Sequence, residues 1–292
     1  MEAKAVREVI DSLQTMEGGG FPVRRPFPVS NLSQVDPFLL LDEMGPVVWK
    51  PGEAIGAPDH PHRGFEAVTY LLAGHIIHED SIGHKGELGP GDVQWMTAGG
   101  GVIHSEMPDP HFQETGGLMH GFQIWVNLPA RDKMMKPRYQ EVPSSTIPEV
   151  ESSDGKSTVR VIAGRSKLGG SAVIDTRTPI IYLHYIIQGG GQVVEAIPRD
   201  YDSLVYVFKG EATIGSDSKV VKEGQMAILG KGETIQINVL NNVSKPSEML
   251  LLGGVPLKEP IARYGPFVMN TEEEIQRAIK DYQNGILAST HD

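Results

Sequence analysis

Two short phrases of the chain echo each other. Val68–Gly74 reads VTYLLAG and is followed by Pro90-Gly91 and Gly99–Gly101; Leu204–Gly210 reads LVYVFKG and is followed by Glu223-Gly224 and Gly230–Gly232. Each phrase is a run of apolar, β-branched and aromatic residues closed by a glycine, the signature of a strand entering a turn. A similar strand followed by turn signals in the same order, met twice in 292 residues, predicts an internal duplication of one β-barrel unit. Thirty-four glycines and 21 prolines punctuate short apolar stretches elsewhere, a texture of many strands joined by tight turns. The expected fold class is all-β, in two domains that can each bury a core.

In the first half, strands are expected around Phe38–Asp42, Glu66–Ala73, His75–Glu79, Val93–Thr97, Val102–Met107 and Gly121–Leu128. In the second half they are expected around Thr158–Ala163, Ile180–Ile187, Ser203–Lys209, Glu211–Ile214, Gln225–Leu229, Thr234–Asn238 and Glu248–Gly253. Between the halves, Ala130–Pro148 is polar and carries Pro137, Pro143 and Pro148, so it reads as a linker. The domains are placed at 1–135 and 136–292. A helix is expected over Thr271–Asn284: Thr271 and Glu274 form a capping box, Ile275, Ala278, Ile279 and Tyr282 an apolar stripe, and Gly285 a stop.

Two pairs of potential metal ligands stand out. Asp59-His60-Pro61-His62 places two histidines two apart, so in an extended segment both imidazoles project to one side. His104-Ser105-Glu106 repeats that spacing with one nitrogen and one oxygen donor. If the two segments are neighbours in a barrel, four donors converge. Three imidazoles and a carboxylate suit Fe(II), Mn, Co, Ni, Cu(II) or Zn, and four protein ligands leave positions open for water, O2 or a chelating substrate. A lone HxH reads equally well as ordinary loop or core histidines; two matching dyads beside turn residues point to the metal. Glu66, four residues after His62, is an alternate ligand or an acceptor for an imidazole N–H. His75 and His78 are three apart, on opposite faces of a strand, and are read with His84 as exposed hairpin residues, with a supporting role behind the metal ligands as the alternative. Phe65, Trp95, Met96, Phe122, Ile124 and Trp125 are strand-core candidates, some of which could line a pocket over the metal.

Charge and composition exclude several classes. The net charge of −11 disfavours direct binding to nucleic acid or an anionic membrane. The absence of cysteine excludes disulfides, thiolate metal sites and a cysteine nucleophile. No secretory h-region and no apolar run of about 18 residues is present, so the expected location is cytoplasmic, and also nuclear in a nucleated organism.

The blocks DPFLLLDE (36–43), PDHPHRGFEAVTYLLAG (58–74), GPGDVQWMTAGGGVIHSEMP (89–108), GFQIWVNLP (121–129) and YGPFVMNTEEEI (264–275) resemble the characteristic blocks of pirins, a family of the cupin superfamily. The resemblance covers most of the chain. It implies a bicupin, two stacked β-barrels of jelly-roll type with a C-terminal helix, and a metal, usually iron, in the first barrel on His60, His62, His104 and Glu106. It implies no ligand role for Glu66. The second barrel, whose only internal histidine is His184, is expected to carry no metal. Two functions follow from the resemblance. One is quercetin 2,3-dioxygenase-type opening of a flavonol, an oxidoreductase reaction with Glu106 as the base. The other is an iron-dependent redox sensor acting as a transcription co-regulator, through contacts with a transcription factor or another protein.

Overall fold

The computed structural model describes residues 2–241 and 244–288. Its backbone separates into two compact units that do not follow the chain in simple order. One comprises Met1–Leu13, Pro26–Pro37 and Ser145–Pro256; the other comprises Gln14–Arg25, Phe38–Ser144 and Leu257–Asp292. A division at 135/136 assigns both ends of the chain differently. The reason is pairing: Val6–Asp11 joins Gln225–Leu229 antiparallel, with Ile10 opposite Met226, so the N-terminal strand completes the barrel built from the second half. The C-terminal helix clusters with the first-half barrel for the packing reasons given below.

Each unit is a sandwich of one seven-stranded and one four-stranded antiparallel sheet. In the unit built on Phe38–Ser144 the small sheet runs in the order Ala57–His62, Val102–Pro108, Ile76–Asp80, Lys85–Leu88. Its large sheet places Phe65–Ala73 centrally, between Val93–Thr97 and Gly117–Asn127. Phe65 to Leu71 are all buried, which is why that strand shows no regular polar alternation; its polar members Glu66 and Thr69 are buried too. The other unit repeats the scheme: Ile180–Ile187 and Asp202–Lys209 flank Ser247–Gly254 in its large sheet, over a core that includes Leu183, Val205, Ile237 and Leu251.

One expectation changes here, and another holds. The segment Ala130–Pro148 contains a strand, Arg138–Val142, paired with Val93–Thr97 from Arg138↔Thr97 to Val142↔Val93. It lies at the end of its sheet, where a polar sequence and flanking prolines are tolerated, so composition mimics a linker. The helix forms at Glu272–Gln283 with the capping box in place: Thr271 Oγ1 accepts from Glu274 N and the Glu274 carboxylate accepts from Thr271 N. Ile275 and Ala278 pack with Ala262, Phe267, Met269 and Leu287. Arg63, 1% exposed, bonds through Nη1 to Asp281 on this helix at 2.8 Å and through Nε to the Gly100 carbonyl at 2.6 Å. No helix among the described residues is long and apolar enough to cross a membrane.

Candidate metal centre

The HxH and HxE segments are adjacent antiparallel strands. His104 lies opposite His60, and Val102 opposite His62, so the three imidazoles meet on one face of the small sheet. Ring centroids are 4.3 Å apart for His60 and His104, 4.7 Å for His60 and His62, and 4.9 Å for His62 and His104. One ring nitrogen from each falls within 4.8 Å of the others. The turn that follows is held by Gly64, at φ +92°, where a Cβ would stand 1.9 Å from the Val268 carbonyl oxygen. No other residue fits there, and Lys133 closes the same turn by donating from Nζ to the carbonyls of Gly64 and Val268 and to Asn127 Oδ1.

The protonation chemistry favours ligation. Burial, reinforced by the neighbouring His60, holds His62 well below the ordinary histidine range, although a hydrogen bond to the Pro266 carbonyl acts in the opposite sense. Burial, then His62 and His60, do the same for His104. Both rings are therefore neutral with a lone pair to offer at pH 7. His62 Nδ1 and His104 Nε2 are buried and find no hydrogen-bond partner among the described residues. Orphaned buried nitrogens are costly, and a cation between the three rings removes that cost. The donor set fits a metal ion, and the triad can bind one.

Glu106 shares the cleft wall, but its carboxylate is not one of the clustered donor atoms. It accepts from Thr69 Oγ1 at 2.7 Å and from Gln123 Nε2 at 3.1 Å. The strand pairing slips by one residue between His104 and Glu106, a bulge of the kind that re-aims side chains beside active sites. Glu66 is fully buried and accepts from Thr97 Oγ1 at 2.6 Å, away from the triad group.

His78 corrects the expectation of an exposed hairpin residue. It is 0% exposed, and its Nε2 lies 2.6 Å from His104 Nδ1. Its strand is paired on both sides, to Val102–Pro108 and to Lys85–Leu88, so Ile76 and His78 face inward while Glu79 faces water. His75 is exposed as expected, and His84 is half-buried, stacked on Tyr139 at 4.1 Å and bonded to Glu141.

Above the triad opens a cleft of about 560 Å³, in the range of small-molecule sites. Its lining includes Leu40, Met44, Ile55, Ile76, Met119 and Trp125, with His60, His62, Glu106 and Gln123 among its polar groups. Trp125 stacks on Phe65 at 4.3 Å, meets the His62 ring edge-on, and carries the Arg263 guanidinium over its ring, 4.9 Å from the centroid. Phe65, Trp95, Met96, Phe122 and Ile124 are buried in the core. Arg25 closes one wall through a bidentate pair with Asp42 at 2.7 and 2.6 Å. In the other unit the buried His184 lies 3.5 Å from Glu248.

Residues 20–126 match the family model Pirin, and residues 182–288 match that of the Pirin C-terminal cupin domain. The chain belongs to the pirin family. Human pirin is 44% identical over 97% of this chain and 93% of its own length, and a tomato pirin-like protein is 44% identical over 96% and 91%. Among solved structures, a quercetin 2,3-dioxygenase from Acinetobacter baumannii is similar at a TM-score of 0.90 and 36% identity, covering 97% of this chain and 98% of its own. The bicupin β architecture is thus shared with pirins and with a protein named for flavonol oxidation.

Proposed function

We propose that His60, His62 and His104, with Glu106 as the oxygen donor, hold one divalent metal ion, Fe(II) foremost, and that the chain uses it to open a flavonol such as quercetin with O2. The observation that carries this reading is three clustered imidazoles at an apolar cleft that also holds a positioned carboxylate. Three nitrogens and one oxygen also accept Mn, Co, Ni, Cu or Zn. When bound, the ion supplies Lewis acidity toward a substrate's adjacent hydroxyl and carbonyl oxygens and electron exchange with O2.

The protein's own part is binding, orientation and proton transfer. The apolar lining and the Trp125 ring suit a flat aromatic body. Glu106, held by Thr69 and Gln123, takes the flavonol hydroxyl proton and returns it to the product acid. The reaction balances: both O2 atoms enter the ring-opened ester-acid, and the excised carbon leaves as CO with the oxygen it already carried. Aerobic assays of metal-stripped protein, reconstituted in turn with each of these metals, test the reading. Loss of quercetin absorbance with matching CO release is expected; no turnover with any metal refutes it.

A second reading draws on the acidity of the chain and the kinship with human pirin. A net charge of −11 is suited to a basic DNA-binding domain of a transcription factor, with Fe(II) and Fe(III) forms differing in affinity for it. Equal partner affinity in ferrous, ferric and metal-free protein excludes it.

A further inference from the structure

The His78–His104 contact joins two buried ring nitrogens at 2.6 Å, and neither ring is exposed by more than 2%. At that distance one nitrogen must carry the proton and the other must accept it. The direction follows from the opposite edge of His104. Its Nδ1 is engaged by His78, which leaves Nε2, buried and without a hydrogen-bond partner among the described residues, as the nitrogen it can offer to the cluster, where only a lone pair is of use to a cation. Its Nδ1 must then be the protonated nitrogen, and His78 Nε2 the acceptor.

His60 shows the same solution by other means: its Nδ1 lies 2.8 Å from the Pro58 carbonyl, which can only accept, so Nδ1 is the donor and Nε2 is the nitrogen left for a ligand. A backbone carbonyl orients the imidazole near the surface, and a side chain orients the deep one. The position of His78 suits the task. Its strand pairs with that of His104 and Glu106, with His78 opposite Glu106, so the backbone ladder sets the ring's height against both residues. The ring packs against Tyr139 at 5.1 Å and His84 at 5.9 Å, which restrict its rotation.

Resting on the metal reading above, we infer that His78 is a positioning residue for the metal centre, which accepts the His104 Nδ1 proton and thereby locks His104 in the tautomer and orientation that present Nε2 to the ion. Outer hydrogen bonds of this type are worth tenfold to a hundredfold in metal affinity.

Two measurements on the full chain test it. Long-range proton–nitrogen NMR of metal-free protein labelled with 15N-histidine should show His104 protonated at Nδ1 and bare at Nε2; a proton on Nε2 overturns the inference. Anaerobic Fe(II) competition against a chromogenic chelator should show affinity falling tenfold to a hundredfold in H78F, which keeps bulk and loses the acceptor, and partly restored in H78Q, whose amide oxygen can accept. Equal affinity in wild type and both variants overturns the inference while leaving the metal reading intact. A wild-type chain that binds no Fe(II) defeats the metal reading itself. If H78F fails to fold, the wild-type NMR and H78Q decide the question.

Discussion

The Thr69 hydroxyl donates to the Glu106 carboxylate at 2.7 Å, tying a strand of the large sheet to the ligand-bearing strand of the small one. Thr69 stands opposite Gln123 in the large sheet, so the two donors reach Glu106 from neighbouring strands. Hydrogen bonds to a charged group are worth about 1.5–3 kcal/mol, roughly tenfold to a hundredfold in rate if they position a catalytic base. Thr69→Val, nearly isosteric, should lower flavonol kcat by at least about tenfold with metal content unchanged. Unchanged kcat would remove Glu106 from its assigned role.

His104→Ala should abolish retention of metal through dialysis, because it deletes one of the three imidazole donors of the chelate. Glu106→Gln should weaken retention less, since the three imidazoles remain. Elemental analysis of the two variants beside wild type checks the order; the reverse order contradicts the assignment of the triad as the principal holder.

Arg63 and Asp281 form an ion pair that is buried on the arginine side and 17% exposed on the aspartate side. Breaking such a pair leaves an uncompensated charge and costs about 3–5 kcal/mol when fully buried. Asp281→Ala should therefore destabilise the folded chain by about 3 kcal/mol, read as a lower denaturation midpoint. A change within about 0.5 kcal/mol would show that the apolar face at Ile275 and Ala278 fixes the helix alone.

Lys133 gives a pH signature. Burial, opposed by Glu259 and Glu274, pushes its ammonium from 10.5 down to about 8. Between about 8 and 10.5 the unfolded chain thus holds the proton that the folded chain has released, so this group's contribution to stability rises with pH. Below pH 8 the full cost of burying the charge is present. Denaturation of wild type and Lys133→Gln at pH 7.5 and 9.5 should show the wild-type advantage growing at the higher pH. A constant advantage would mean the lysine stays charged on its three acceptors.

What could be read from sequence divides along physical lines. The pairs His60/His62 and His104/Glu106 are visible because same-face projection at i, i+2 is a local property of extended backbone. The capping box at Thr271 and Glu274 is local too. The inward face of Ile76–Asp80 depends on which strands pair with it, so His78 is not identified by its spacing from His75. Likewise the partner of Val6–Asp11 lies more than two hundred residues away in sequence, and no nearby pattern announces it. The bulge beside Glu106 is a register property of two strands and has no single-strand signature.

The most direct measurement is a single turnover in the full-length chain carrying one Fe(II) per molecule, bound anaerobically with quercetin and then exposed to 18O2. The account predicts a ring-opened product with two labelled oxygens and one unlabelled CO for each iron. Iron bound at one per chain with quercetin recovered intact would contradict it.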